Sequence, residues 1–210
     1  MKTEKILKIV VGLPSNGYIR SETTIALASA ITHTPNALFQ LEAPVGSLVH
    51  ILREHIAEQA VKAGSDYLMF IDSDMVFPPD AINILINGDK PVIGADYNYK
   101  YPPKMSVTNI DPTKLKPEYM VEDSRWPGYK FLNPNHKPDK PFEVRAIGTG
   151  FMLIKTEVFQ KIKKPWFWYD RKDGHFVGED AWFCHQVKKA GFSVWCDPTI
   201  LIEHIGTARY

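Results

Sequence analysis

The sequence predicts an α/β fold with a doubly wound, mostly parallel central sheet flanked by helices. Three observations predict it. Short apolar, β-branched runs alternate with segments of helical spacing across the first hundred residues. One run, Tyr67–Ile71, is apolar at every position between Asp66 and Asp72, the pattern of a strand covered on both faces. At 210 residues the chain is long enough to bury a core without disulfide staples, and residues 1–210 read as a single domain.

Taken in order, residues 6–13 form the first strand, and the turn signal Pro14-Ser15-Asn16-Gly17 ends it. Ser21 stands as a helix N-cap, with Glu22 in the first turn and Ile25, Ala28, Ala30 and Ile31 on one face. Residues 37–41 are a second strand. Ser47 caps a longer helix whose Leu48, Ile51, Leu52, Ile56, Ala60 and Val61 fall at helical spacing, and Gly64 closes it. After the strand at 67–71, Pro79 starts a short helix over 80–86 that Gly88 ends, and 92–99 is a further strand. Right-handed crossovers in such a β-α-β-α-β-α-β order put the loops after the strands along one sheet edge, where ligands bind.

The second half is less regular. Eight of the 16 prolines lie between Pro102 and Pro141, which excludes ordinary helix or central strand over 100–141. Aromatic residues there argue against plain disorder, so this stretch reads as an insertion or lid. Order returns over 142–155, interrupted by Gly148 and Gly150. Short helices at 156–162 and 179–190 follow, then late strands at 193–196 and 200–202.

Charge and cysteine content narrow the class. A formal net charge of +1 leaves no global footprint for nucleic acid or an anionic membrane. Cys184 and Cys196 are too few for a disulfide framework and read as small buried residues of a reduced compartment. No apolar run approaches the roughly 18 residues that span a bilayer, so no stable membrane insertion is expected. Lys2 and Lys5 before residues 6–13 imitate a signal peptide only weakly, and a cytoplasmic location is expected.

Three constellations carry chemistry. Asp72-Ser73-Asp74 follows the buried strand. Residues two apart on a strand share a side, so both carboxylates are expected to converge and to need a cation between them. Mg²⁺ or Mn²⁺ suits hard oxygen ligands; a solvated strand-end turn is the bland alternative. Gly178-Glu179-Asp180 opens a helix, with Asp180 spaced onto the inward face of Phe183 and Val187. First-turn acids are also favoured by the helix dipole alone. Glu203-His204-Ile205-Gly206 offers His204, either a structural histidine or a third ligand.

In this order the pieces resemble the metal-dependent GT-A glycosyltransferases, in particular the family 2-like branch. Asp72-Ser73-Asp74 resembles that family's Asp-x-Asp motif, Glu179-Asp180 its helix-opening pair, and His204-Ile205-Gly206 its late His-x-Gly. The segment from Ile147 through Gly148, Thr149, Gly150 and Phe151 to Met152 is similar to its glycine-containing pocket strand. The resemblance runs from Ile6 to about Thr207. It implies a GT-A fold and transfer of a sugar from a nucleotide-diphosphate donor, a UDP-sugar favoured, to an acceptor hydroxyl. Asp74 and His204 would ligate Mn²⁺ or Mg²⁺, and Asp72 would contact the ribose or the metal shell. Asp180, beside Glu179, would act as the base of an inverting reaction. The donor's nucleotide would meet Pro14, Ser15, Asn16, Arg20, Arg53, Asp72 and Ser73, with Gly148, Thr149 and Gly150 lining the pocket. Arg53 equally fits an exposed helix charge paired with Glu54 or Glu58. The chain ends four residues past Gly206, which implies a minimal catalytic domain.

On the acceptor side, Tyr97, Tyr99, Tyr101, Trp126, Trp166, Trp168 and Tyr169 are available for stacking, with Tyr97, Tyr99 and Trp168 foremost. The stretch 100–145 holds nine Lys+Arg against six Asp+Glu. The acceptor is left open between a glycan, a small molecule and a modified base in DNA. Two other functions stay in play: a non-catalytic sugar-nucleotide-binding protein, and a nucleotidyltransferase. The second expects a glycine-rich basic loop after the first strand, which the stretch from Pro14 to Arg20 matches poorly.

Overall fold

The computed structural model of the chain describes residues 5–100, 105–124, 126–172 and 175–206. The first half contains β1 (Leu7–Gly12), α1 (Ser21–Thr32), β2 (Ala37–Glu42), α2 (Val49–Lys62), β3 (Tyr67–Ile71), β4 (Met75–Val76), α3 (Ala81–Asn87) and β5 (Val92–Ala95). The 100–141 stretch carries β6 (Asn109–Ile110), a 3₁₀ turn (Pro117–Tyr119), β7 (Met120–Glu122) and β8 (Lys130–Leu132). There follow β9 (Phe142–Glu143), β10 (Phe151–Lys155), α4 (Glu157–Lys161), β11 (Asp170–Lys172), β12 (His175–Val177), α5 (Glu179–Lys189), β13 (Val194–Asp197) and β14 (Glu203–His204).

The main sheet has the order β2-β1-β3-β10-β5-β13-β9. β2, β1, β3, β5 and β13 run one way, and β10 and β9 run against them. The expected mostly parallel sheet is therefore present. Strand alternation divides the core in two. Ile9, Val11, Met69, Ile71 and Leu153 face α1 and α3, while Val10, Leu68, Phe70, Met152 and Ile154 face α2, α4 and α5. Helices thus cover both faces, as a doubly wound sheet requires.

Several local expectations are corrected. Ser21 and Ser47 cap nothing: α1 begins at Ser21, whose hydroxyl donates to Glu22, and α2 begins two residues after Ser47. The buried face of α1 is Thr23, Ala26, Leu27 and Ala30, leaving Ile25 69% exposed. The strand expected over 92–99 ends at Ala95. The one expected at 200–202 is displaced to Glu203–His204, which pairs with Met75–Val76. Both cysteines are free and buried, and burial pushes their thiols up, Cys184 to about 12.

The proline-rich stretch is a small three-stranded sheet, β6-β8-β7, docked on the main body. Ile110 and Leu132 enter the core shared with α5. At the end of β5, buried Asp96 accepts hydrogen bonds from Ser106, from Thr108 (2.7 Å) and from Lys137 (2.7 Å). A buried carboxylate is tolerable only when so paired.

Candidate functional site

The carboxyl ends of β1, β3 and β5 lie along one edge of the sheet. Because β10 is antiparallel, its beginning lies there too, and Asp72 N–H donates to the Gly150 carbonyl (2.9 Å). A cleft of about 1030 Å³ opens at this edge. Pro14, Ser15, Asn16 and Arg20 line it, together with Asp72, Ser73, Asp74, Tyr99, Lys100 and His204. The β1–α1 loop is anchored by hydrogen bonds from Arg20 N–H to the Ser73 carbonyl (2.8 Å) and from Gly46 N–H to the Ser15 carbonyl (2.9 Å). Gly17, at φ +106°, takes a backbone conformation that L side chains rarely adopt.

The two motif aspartates do not converge. Asp72 keeps the parity of Phe70 and so faces α2 and α5. The turn closed by Met75 N–H on the Asp72 carbonyl (3.4 Å) then sends Asp74 elsewhere. Asp72 Oδ1 accepts from Arg53 Nη2 (2.8 Å), and Arg53 Nε donates to Glu179 Oε1 (3.3 Å). Arg53 is 2% exposed, with its Nη1 lacking a hydrogen-bond partner. Burial alone would lower the guanidinium's pKa; Asp72 and Glu179 outweigh it and hold it above its usual value. Arg53 is thus not an exposed helix charge, and it stands behind Asp72 rather than among the residues that line the cleft. Glu54 instead accepts from the amides of Trp166 (2.8 Å) and Phe167 (3.0 Å), and Glu58 pairs with Lys164.

Asp74 makes a second cluster. Its carboxylate pairs with Lys100 and stands 3.3 Å from His204 Nε2. His204 Nδ1 lies 3.0 Å from the Asn98 carbonyl, a contact that fixes the ring with Nε2 towards Asp74. Burial would raise the Asp74 carboxyl, but hydrogen bonds from His204 and Lys100 hold it below the usual range. β14 pairs with β4, and Ile205 N–H donates to the Asp74 carbonyl (2.9 Å), which brings the late histidine here. A carboxylate oxygen and an oriented imidazole nitrogen at this separation fit a divalent cation as a pair. The three-residue set with Asp72 is not assembled: among the described residues no group of three or more His, Cys, Asp or Glu is arranged to hold a metal.

Gly148, Thr149 and Gly150 do not line the cleft; they back its floor. A Cβ on Gly150 would stand 2.5 Å from the Tyr97 hydroxyl and 2.9 Å from Asp72 Oδ2, and one on Gly148 would stand 2.3 Å from that hydroxyl. The Gly150 N–H donates to Tyr97 Oη (2.9 Å). Tyr97 is therefore buried structure rather than acceptor surface. Burial, then the charges of Asp72 and Asp180, push its phenol well above the usual value. Gly150→Ala is expected to cost about 1–3 kcal/mol through overpacking; an unchanged urea midpoint would contradict that crowding.

Asp180 opens α5 on the inward side. Its Oδ1 accepts from the Ala181 amide (2.7 Å). Burial first, and Glu179 beside it second, push its carboxyl up to about 6. A carboxylate poised there is suited to exchanging a proton near neutrality. Tyr99 lies on the cleft wall, and Trp168 lies outside it, edge-on to His50. Tyr101 lies outside the described residues. The links from Arg53 to Asp72 and Glu179, and Lys100 on Asp74, are pairings that sequence patterning missed.

No known family profile matches the sequence, and no curated protein does. Solved structures do match in shape. A197 from STIV superposes with a TM-score of 0.63 at 18% identity, covering 95% of this chain and 85% of that one. A protein described as a glucose-1-phosphate thymidylyltransferase from Bacillus anthracis, in complex with sucrose, superposes with a TM-score of 0.53 at 11% identity, covering 94% and 89%. These likenesses bear out the fold class: a Rossmann-type α/β fold with a large, mostly parallel central sheet flanked by helices.

Proposed function

We propose that the chain is a glycosyltransferase that moves a sugar from a nucleotide-diphosphate donor, a UDP-sugar favoured, to an acceptor hydroxyl. One observation carries this reading: residues from three distant motifs meet at one sheet edge beside a large cleft, as Asp72 with Arg53 and Glu179, and as Asp74 with His204. The Rossmann-type fold, shared with a nucleotide-sugar enzyme, supports it. Asp180, next to Glu179, would take the acceptor hydroxyl proton. The acceptor oxygen would attack the anomeric carbon, and the bond to the diphosphate would break with inversion. Arg20 lines the cleft where the diphosphate would lie, and Lys100, paired with Asp74, stands beside it. When bound at Asp74 and His204, Mn²⁺ or Mg²⁺ would neutralise the charge developing on the leaving group. Among the described residues no helix is long and apolar enough to cross a membrane.

The test is thermal shift and nucleotide release with Mn²⁺ and a panel of UDP-, GDP- and CDP-sugars. At least one donor is expected to stabilise the protein only with metal present, and Asp74→Ala is expected to abolish that dependence. A protein that no nucleotide sugar stabilises would remove the reading. The fold likeness to a thymidylyltransferase favours a second reading, nucleotidyl transfer. Pyrophosphate release from a nucleoside triphosphate and a sugar 1-phosphate, without transfer from nucleotide sugars, would establish it instead.

A further inference from the structure

Beside the start of α5, outside the cleft, lies a concentration of ring surface. Trp168 and Phe176 are 49% and 52% exposed. Two less exposed rings join them. His50 sits edge-on to Trp168 (centroids 5.5 Å, 84°) and to Tyr169 (4.7 Å, 65°), and Tyr169 leans on Phe176 (5.1 Å, 31°). The result is a ladder of four rings, closed in the middle and open at both ends. His50 is itself buried, and its Nδ1 has no hydrogen-bond partner among the described residues. The ladder lies within electrostatic reach of the candidate base: burial raises the Tyr169 hydroxyl's pKa, Glu179 adds to that, Arg53 opposes it and Asp180 adds less.

Large rings left facing water on and just before a short hairpin mark a binding surface rather than a core. Either a sugar or a nucleobase can lie on such faces. The charges separate the two. Surfaces that hold nucleic acid line the backbone with cations. Here two acids, Glu179 and Asp180, act on the Tyr169 end of the ladder, and the one cation acting there, Arg53, is itself paired with Asp72 and Glu179. Across the hairpin Arg171 stands opposite Phe176. Phosphates would be repelled from the Tyr169 end. An uncharged sugar offers an apolar C–H face to the rings and hydroxyl donors to the carboxylates.

We infer that the ladder of Trp168, His50, Tyr169 and Phe176 is the acceptor subsite, and that the acceptor is a neutral saccharide rather than a nucleic acid. The word acceptor rests on the glycosyltransferase reading; the saccharide site stands or falls by itself. The test uses the whole chain without donor or metal. Maltose, cellobiose, lactose and chitobiose are titrated by calorimetry and saturation-transfer NMR, with a short oligo-dT single strand in parallel. At least one saccharide is expected to bind saturably. Trp168→Ala and Phe176→Ala, both at half-exposed positions, are each expected to weaken it about fivefold or more, with far-UV circular dichroism unchanged. Binding of none of the saccharides, equal binding by both variants, or preference for the oligonucleotide overturns the inference. Donor-induced thermal shift in the same variants is expected to be unaltered, so a failed donor reading and a failed saccharide site give different results.

Discussion

Asp180→Asn is expected to leave metal-dependent donor binding intact and to cut sugar transfer by about 10²–10⁴-fold, the usual contribution of a general base. The pH profile gives the sharper check. With its carboxyl pushed up to about 6, first by burial and then by Glu179, Asp180 is protonated and inert below that pH and a competent base above it. Turnover should therefore rise through pH 6 and level off. Glu179→Gln removes a charge that raises Asp180 and should move the limb to lower pH. Stability runs the other way. The folded state favours the protonated form of Asp180, so this group's contribution is full at low pH and is lost as pH rises toward 6. Asp180→Asn should thus be no less stable than the parent at pH 7.5, which separates lost chemistry from lost folding. A fully active Asp180→Asn protein, or a limb that ignores Glu179→Gln, would end the base assignment.

Arg53→Met is expected to be the most damaging single change to stability. Removing one partner of a buried ionic cluster leaves the others uncompensated, at a cost of roughly 3 kcal/mol. That corresponds to a fall in Tm of roughly 10 °C for a chain of this size. Asp72 and Glu179 would be left unpaired, their side chains 27% and 14% exposed, so the low end of the usual range for buried pairs applies. Arg53→Lys should restore little, because an ammonium cannot bridge both carboxylates as the guanidinium fork does. The loss has an electrostatic signature too. Arg53 lowers the Asp180 carboxyl, so its removal should shift the turnover limb to higher pH. A variant with unchanged Tm and an unmoved limb would show that Arg53 does not link the two motifs.

Much of the architecture was legible because it is local. β3 is bounded as its five apolar residues indicate, and the alternation of strand and helix follows from periodicity alone. α1 was legible as a helix but not in its facing. Its apolar residues lie all around a short segment, and the sheet selects Ala26 and Leu27 over Ile25. β14 has two residues and exists only because β4 meets it, so no pattern announces it. In the candidate site the motif residues could be named, but not their partners. Arg53 reaches 126 positions along the chain to Glu179, and a helix wheel has no knowledge of that. The expected meeting of Asp72 and Asp74 failed because the strand ends at Ile71, so the two-residue repeat does not extend to Asp74.

The anchoring of the proline-rich stretch on Asp96 bears on how this scaffold can diversify. Ser106, Thr108 and Lys137 all address one carboxylate at the end of β5, while Ile110 and Leu132 plug the core below. The outer strand β7 makes no bond to Asp96 and reaches the core through Met120 alone among its three residues. The stretch is therefore a cassette fastened mainly along its inner strands, β6 and β8. A graft that leaves the sheet undisturbed has to keep those five side chains, Met120, the β6–β8 pairing and the backbone bonds of Val107 to Tyr97 and of Asn109 to Ala146.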